Sequence, residues 1–389
     1  MAQDEVSWSE IAGPSGDRSY CSTSIAEKWA WDERETFSAS LSTAQMTFTT
    51  TQLAQQEEDA GILKLRGFHD PHSVEAALED LETKGWAVVK NVIPLERAQE
   101  YEQRAYAWLE SFGKGFKRDD KDTWKVENMP AFDRGGMFKR HGVHHERFVW
   151  DIRSEPGIAA VFAKLWETDE LLLSTTEIDD HADGINISLP YIDDQQTDRA
   201  APWPHVDQNP RRRHKHCIQG IANIAPNGPL DGGLKVLSHS VQHFHAFFDA
   251  HPELEPEGGW PAGDFFMHRE EDVGWLKDRG CEWVKVEAGP GDLILWDSRT
   301  VHYGAVAEGD RPRVATYLCY KPAKDGKPDK LEARKQAFAE WAGTTHDPLA
   351  FTVRGTNTLG PLTRDEKQLP HEIPVLDERA RKLAGLIPY

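Results

Sequence analysis

The sequence predicts a mainly β fold with flanking helices, an α+β architecture, on two observations. Segments that alternate apolar with polar residues, such as 184–190 and 313–320, occur in the middle of the chain and are typical of strands. After Pro94, apolar residues instead recur at spacings of three and four, the pattern of a helix that packs one face against a sheet. A second helix is predicted at 157–166. We therefore expect a core of strands with helices on its outside.

The charge of the chain excludes several classes of partner. Its 389 residues include 65 acidic and 45 basic side chains, which gives a net charge of −20. Such a surface repels the phosphates of nucleic acids and of anionic membranes, and no apolar run is long enough to span a bilayer. The first residues are acidic, and the four cysteines are scattered. We expect a cytoplasmic protein with reduced thiols and a small-molecule substrate.

The predicted organisation is one domain with additions. Residues 1–60 are polar and rich in Ser and Thr, which indicates a loosely packed arm or a contact between the subunits of a homodimer. Residues 61–389 are predicted to form a single domain, with a helical insertion at 242–283 and a C-terminal extension at 321–389. The insertion is rich in Phe and Trp, so it is a lid, an oligomer contact or, as we favour, a packed core of its own.

The most informative motif is His205-Val206-Asp207, followed far along the chain by His302. Residues two apart in a strand point to the same face, so His205 and Asp207 can present two ligands to one metal from one short segment. His302 follows a Gly-Pro-Gly turn and the apolar run 293–296, the order expected of a ligand on another strand. Two imidazoles and one carboxylate are the ligand set of non-haem Fe(II) oxygenases. A lone His-x-Asp pair is more often structural, but the companions of this pair favour a metal site.

Arg313 is the main companion of the metal motif. It lies eleven residues after His302 and opens a run whose alternation puts Arg313, Ala315 and Tyr317 on one strand face. A guanidinium there can bind a carboxylate through two hydrogen bonds. Together these residues resemble the phytanoyl-CoA dioxygenase-like branch of the Fe(II)/2-oxoglutarate oxygenases, whose pattern is His-x-Asp, a distal His and an Arg about eleven positions later.

The resemblance extends over roughly residues 80–320. Segment 85–94 looks like the opening strand of the family. Segment 231–237 looks like its Gly-Gly-Leu strand, and 291–296 looks like the run before the distal His. The resemblance is therefore not confined to the ligands.

Two further segments bear on the resemblance. Residues 381–386 look like the tail of some fungal-type members. After the Gly-Gly-Leu strand the family usually reads Pro-Gly-Ser-His, whereas this chain reads Ser238-His239-Ser240-Val241. That turn is altered, but no predicted ligand is lost.

The resemblance implies a double-stranded β-helix, a jelly-roll or cupin-like core with the metal between its two sheets. It implies that His205, Asp207 and His302 bind Fe(II), that 2-oxoglutarate chelates the metal and anchors its far carboxylate on Arg313, and that O2 takes the remaining position. Gln219 lies on the strand where the family places side chains beside the co-substrate, although plain packing explains it equally well. The implied reaction oxidises a metabolite and releases succinate and CO2, with hydroxylation as the default and desaturation or cyclisation as variants.

Three alternatives stay open. A zinc hydrolase uses the same His, Asp and His ligands but has no need of the arginine. A catalytically silent binding protein keeps the fold but has no need of an intact ligand set. The third is a zinc site in segment 134–146, where His141, His144, His145 and Glu146 supply enough donors. A solvated loop, or a loop that covers the active site and contacts substrate, explains the same residues.

Candidate substrate contacts fall in three segments. The basic run 211–216 begins four residues after Asp207, so one of its arginines is predicted to bind an anionic group, unless the run is solvated surface. Strand 184–190 has a polar face that either lines the barrel or faces solvent. The candidates are Arg211, Arg212, Arg213, His141, His144, Asn186 and Ser188. We favour a small polar or carboxylate-bearing substrate, from secondary or amino-acid-derived metabolism, over an acyl-CoA.

Overall fold

The computed structural model describes residues 71–132, 135–174, 184–189, 202–351 and 369–389. The predicted extension at residues 1–60 lies outside these ranges, and so do residues 175–183 and 190–201. Within them, no helix combines the length and the apolar character needed to cross a lipid bilayer.

Helices precede and interrupt a set of short strands. The helices are α1 (Pro71–Lys84), α2 (Leu95–Ser111), α3 (Arg147–Arg153), α4 (Pro156–Trp166), α5 (Ser240–Ala250), α6 (Glu270–Lys277), α7 (Pro328–Ala339) and α8 (Glu378–Leu383). The strands are β1 (Trp86–Val89), β2 (Met137–Phe138), β3 (Leu171–Leu173), β4 (Ile185–Ser188), β5 (His205–Val206), β6 (Ile218–Asn223), β7 (Gly233–Ser238), β8 (Phe266–Met267), β9 (Glu282–Lys285), β10 (Leu293–Asp297), β11 (His302–Ala305) and β12 (Arg313–Pro322).

The strands form two antiparallel sheets. The larger sheet has the order β1-β10-β6-β12-β4-β2, with β3 also paired to β12, and the smaller has the order β8-β5-β11-β7-β9. Apolar side chains of both sheets meet in one cluster, among them Ile221 and Trp296 of the larger sheet and Val236 of the smaller. Two sheets packed face to face in this way are the double-stranded β-helix, so the predicted fold class is confirmed.

Helices cover the outer face of the larger sheet. On β10, Leu293 and Leu295 pack in the cluster that also holds α2 and α4, whereas Ile294 and Trp296 face the smaller sheet. This division follows from the two-residue period of a strand, which sends alternate side chains to opposite faces. Both predicted helices are confirmed, since α2 and α4 cover the segments where the apolar spacing is three and four.

The altered turn between β7 and α5 keeps a glycine-like backbone without a glycine. His239 takes the place of the usual Gly and has a left-handed conformation, with φ of 69°. Residues with a Cβ adopt this conformation at a cost. Its backbone N–H donates to Lys84 O at 2.8 Å, and its ring Nδ1 lies 3.1 Å from Thr83 O. These contacts with the end of α1 hold the turn in place.

The segment predicted as a helical insertion contains α5, β8 and α6. Its Phe and Trp side chains form a hydrophobic cluster with Val206, Leu237 and Val301. This agrees with the interpretation of the insertion as a packed core. Strand β8 pairs with β5, with Met267 opposite His205, so the insertion is joined directly to the strand that carries the metal motif.

The described part of segment 134–146, residues 135–146, differs from the prediction of a loop. It contains β2, which pairs with β4, and a turn of 3-10 helix at Val143–His145. His141, His144 and His145 are buried, with exposed fractions of 3%, 4% and 0%. The solvated-loop interpretation is therefore wrong, because Phe338 of α7 and the backbone of Ala342 pack against His145.

Candidate metal centre

The two sheets bring His205, Asp207 and His302 together. His205 on β5 lies directly opposite His302 on β11, and Asp207 follows β5 with its backbone N–H bonded to Ser298 O at 2.9 Å. The Nε2 atom of His205 is 3.6 Å from Asp207 Oδ1, and that of His302 is 3.3 Å from Asp207 Oδ2. Their ligand atoms lie within 4.8 Å of one another, and all three side chains are buried. Within the described ranges this is the single group of three or more candidate ligands.

Both imidazoles are oriented from behind by the backbone. The Nδ1 of His205 is 3.0 Å from Trp203 O, and the Nδ1 of His302 is 2.9 Å from Thr300 O. A carbonyl oxygen only accepts hydrogen bonds, so each Nδ1 can donate to it, and each Nε2, which faces Asp207, is left as the atom that would bind a metal ion. Metal-binding histidines commonly have this arrangement. The donor set therefore fits a divalent metal ion.

The carboxylate of Asp207 is ionised and held in place. Burial by itself would raise its pKa, but the neighbouring His205 and His302 hold the pKa well below its usual range. The amide of Gln219 donates from Nε2 to Asp207 Oδ2 at 2.7 Å. Gln219 thus contacts a predicted ligand, which is the kind of support that metal-binding carboxylates receive in proteins.

Aromatic rings surround the two histidines. Trp203 stacks on His205 with ring centroids 4.2 Å apart and planes within 9° of parallel. Phe265, from the insertion, lies 5.4 Å from His205, and Trp296 lies 5.4 Å from His302. An apolar surround of this kind limits access of water and lowers the local dielectric constant, which strengthens metal-ligand and charge interactions.

Arg313 begins β12 on the interior side of the larger sheet. It is 3% exposed, and its Nε and Nη2 atoms have no hydrogen-bond partner among the described residues. Arg311 differs: it is half exposed and forms an ion pair with Asp231 at 2.7 Å. A buried guanidinium with unused donors is suited to a carboxylate ligand, because an uncompensated buried charge is costly.

Lys285 places a second positive charge near Arg313. Burial lowers its pKa to about 8, and the proximity of Arg313 contributes to the same shift. Its ammonium group donates to Asn227 Oδ1 at 2.6 Å and to Val286 O at 2.9 Å. This end of the interior is therefore positively charged, as expected of a site for an anion.

The predicted polar strand face lines the interior. In the register of β4 with β12, Asn186 lies opposite Ala315 and Ser188 opposite Arg313. Asn186 donates to Gly135 O at 2.6 Å and is buried. Of the two interpretations of this strand, the structure shows the one in which Asn186 and Ser188 face the barrel.

The basic run turns toward the insertion. Arg212 forms an ion pair with Asp264 at 2.7 Å, Arg213 pairs with Asp249, and Arg211 donates to the backbone carbonyl of Trp260. These arginines therefore bind the insertion to the segment after Asp207, and the prediction that one of them contacts substrate remains a prediction.

The C-terminal extension contributes residues that the sequence analysis did not single out. Asp347 is buried and accepts from Lys321 at 2.5 Å, and its Oδ2 lies 2.8 Å from His216 Nε2. His346, also buried, is close enough to lower the pKa of Asp207. The only signal in the sequence was the His-Asp pair before Pro348. It lies more than forty residues beyond His302, so no spacing rule links it to the metal motif.

Comparisons with known proteins identify the family of this chain. The family model of the phytanoyl-CoA dioxygenases (PhyH) matches residues 58–315. Ava biosynthesis cluster protein O of Aspergillus versicolor is 41% identical over 272 residues, which are 69% of this chain and 85% of that protein.

Solved structures are similar at lower identity. GIG2 of Candida albicans has a TM-score of 0.53 and 13% identity, covering 86% of this chain and 83% of that one, which supports the fold alone. The epimerase SnoN, crystallised with Fe3+, alpha-ketoglutarate and nogalamycin RO, has a TM-score of 0.44 and 15% identity, covering 80% of this chain and 98% of that one.

The fold and the matched family define a class, the non-haem iron- and 2-oxoglutarate-dependent oxygenases, whose cofactors are Fe(II), 2-oxoglutarate and O2. Within that class, the chain belongs to the phytanoyl-CoA dioxygenase family.

Proposed function

We propose that His205, Asp207 and His302 bind Fe(II), and that the chain hydroxylates a small polar or carboxylate-bearing metabolite. The observation that carries the proposal is the pair of backbone-oriented imidazoles whose Nε2 atoms face the two oxygens of one buried carboxylate. Three protein ligands leave the positions that a chelating 2-oxo acid and O2 require.

The residues around the triad have separable tasks. Gln219 keeps Asp207 oriented through its amide hydrogen bond, and the rings of Trp203 and Trp296 restrict water. Arg313 binds the far carboxylate of 2-oxoglutarate with its unused donors. Bound Fe(II) supplies the redox chemistry by which O2 converts 2-oxoglutarate to succinate and CO2 and oxidises the substrate by two electrons.

A polar substrate is supported by the interior face of β4, where Asn186 and Ser188 lie near Arg313. The Aspergillus versicolor relative is named for a biosynthesis cluster, and we extend that context to this chain as a role in secondary metabolism. Hydroxylation is the default outcome, and halogenation is disfavoured because Asp207 occupies the position that a halide needs. Desaturation and cyclisation differ from hydroxylation only in the later fate of the substrate.

Succinate release tests the proposed function. With Fe(II), 2-oxoglutarate and O2, the enzyme is expected to form succinate slowly without substrate and faster with it. A hydroxylated product gains one oxygen in mass, whereas desaturation removes two hydrogens. Iron binding without any succinate release would contradict the proposal and favour a zinc hydrolase or a silent binding protein of the same fold.

Arg313→Leu sharpens this test. Removing a buried charge-assisted pair costs about 2–5 kcal/mol, so the apparent affinity for 2-oxoglutarate should fall at least about thirty-fold while iron binding is retained. Arg311→Leu is the matched control, because Arg311 is already paired with Asp231 at the surface. If Arg311→Leu weakens 2-oxoglutarate binding and Arg313→Leu does not, the arginine assignment is wrong by two residues.

A further inference from the structure

Trp296 carries a buried hydrogen-bond donor without a partner. It lies on β10, is 3% exposed, and its indole Nε1 has no acceptor among the residues that the structure describes. Buried donors in native proteins are nearly always paired, because leaving one unpaired costs its full desolvation. The N–H of Trp296 therefore requires an acceptor that the described residues do not supply, and a bound ligand can supply it.

The other buried tryptophans show that this chain follows the rule. Trp108 donates to Glu146 at 3.1 Å, Trp124 to Lys117 O at 3.0 Å and Trp150 to His145 at 3.4 Å. Trp86, which lies directly opposite Trp296 on β1 and is half-buried, donates to Ser238 Oγ at 3.2 Å. The unpaired indole of Trp296 is thus an exception within the described residues, and its position explains why.

Trp296 lies at the metal end of the interior. It is opposite Gln219 in the register of β10 with β6, and the amide of Gln219 donates to Asp207. Its ring is 5.4 Å from that of His302. Trp296 and Ala315 belong to the same interior cluster, and Ala315 shares the strand face of Arg313, whose Nε and Nη2 are also unpaired.

The unpaired atoms of Trp296 and Arg313 are all donors. A ligand that satisfies both must offer acceptors at two places, which describes a dicarboxylate better than an alcohol or an amine. We infer that Trp296 donates its indole N–H to an oxygen of the bound 2-oxo acid at the end nearer His302, while Arg313 holds the far carboxylate. This inference rests on the proposed function and adds a residue to it.

The test compares Trp296→Phe with its strand neighbour Trp86→Phe. In enzyme loaded with Mn(II), which binds the co-substrate without turnover, the 2-oxoglutarate Kd measured by calorimetry should rise about ten-fold or more in Trp296→Phe, the usual effect of losing a hydrogen bond to a charged group. Trp86→Phe should change that Kd less than about two-fold. Both variants lose the same ring volume and one indole N–H, so a larger Kd in Trp296→Phe alone assigns the effect to position 296 and not to the type of substitution.

Ligand-free stability gives a second readout. Trp86→Phe breaks an existing hydrogen bond, whereas Trp296→Phe removes an unpaired donor, so Trp296→Phe should lower the Tm less than Trp86→Phe does. Should Trp296→Phe misfold, replacement of Trp296 by the sulfur analogue benzothienylalanine keeps the ring volume and removes only the N–H.

Three results would overturn the inference. They are an unchanged 2-oxoglutarate Kd, a change confined to the affinity for the primary substrate, and a larger loss of Tm in Trp296→Phe than in Trp86→Phe. If the wild-type enzyme itself binds no 2-oxoglutarate, both the inference and the proposed function fail. If the wild type and Trp296→Phe bind 2-oxoglutarate with the same Kd, the inference fails and the proposed function stands.

Discussion

Two histidine clusters in this chain contain similar donors but differ in what those donors face. In the first, His205 and His302 direct their Nε2 atoms at the two oxygens of Asp207, at 3.6 and 3.3 Å. In the second, His144 and His145 lie side by side, with ring centroids 5.4 Å apart, next to Glu146. From the sequence alone, both clusters were candidate metal sites.

The donors of the second cluster are already used within the chain. His145 Nε2 is 3.0 Å from Ala342 O, and its Nδ1 accepts from Trp150 at 3.4 Å. Glu146 accepts from Trp108 and from the backbone N–H groups of residues 371 and 372. Burial raises the pKa of Glu146 to about 7. These side chains join α2, α3 and the C-terminal segment, and they do not converge on a common point.

The difference shows that donor count does not define a metal site. Both histidines of the first cluster use Nδ1 for a backbone carbonyl and so keep Nε2 for a ligand. In the second cluster both nitrogens of His145 are occupied, which makes its imidazole a structural part of the core. The zinc site considered for segment 134–146 therefore has no support in this geometry.

The largest expected effect is the loss of a ligand from the first cluster. His205→Ala, Asp207→Ala and His302→Ala should each abolish tight iron binding and reduce turnover to background, because three ligands leave no redundancy. Iron content per chain and succinate formation are the measurements, with circular dichroism to confirm folding. His145→Gln, in the second cluster, is the control and should retain about one iron per chain. Full activity in any of the three alanine variants would show that the triad is misassigned.

An intermediate effect is expected at Gln219, which acts on the metal through Asp207. Loss of such a contact typically lowers metal affinity about 10- to 100-fold, so Gln219→Leu should weaken iron binding by that factor with a small change in Tm. Gln208→Leu is a suitable control: its amide donates to the backbone carbonyls of Arg212 and His214, so its loss should lower the Tm and leave iron affinity nearly unchanged. Equal iron affinity in wild type and Gln219→Leu would mean that Gln219 only packs.

The smallest effect concerns pH and the second cluster. Burial, with a smaller contribution from Arg153, lowers the pKa of His145 to about 4, below its value in the unfolded chain. Between pH 6.5 and 4 the unfolded chain binds a proton that the folded chain does not, so His145 stabilises the fold fully above pH 6.5 and less as the pH falls. At pH 5 this loss amounts to about 2 kcal/mol relative to pH 7.

His145→Gln removes this titration while keeping a donor for Ala342 O. The difference in unfolding free energy between pH 7 and pH 5, from urea titrations with and without EDTA, should be about 2 kcal/mol smaller in His145→Gln than in wild type. An identical pH dependence in the two proteins would contradict this contrast between the clusters. So would an effect of EDTA on the stability of the wild type that is missing in His145→Gln, because it would indicate a metal ion bound at the second cluster.

Local patterns predicted much of the fold and of the candidate site. Strand β12 begins at Arg313, after Pro312, because proline fits the start of a strand better than its middle. Helix α2 follows the apolar spacing closely. The His-x-Asp spacing needed only the two-residue period of an extended segment to place both side chains on one side. In each case the property depends on neighbours along the chain.

What the sequence determined by itself was therefore most of the strands, though not β2, β3, β8 or β9, together with the two outer helices, the three candidate ligands and the arginine that follows them. Only the tertiary structure decided the partners of Arg211–Arg213, the burial of His144 and His145, the approach of His346 and the unpaired indole of Trp296. Each of these depends on a segment tens of residues away that the packed sheets bring into contact. Periodicity is a property of consecutive residues, whereas the partner of a buried charge or N–H is set by which distant elements pack against it.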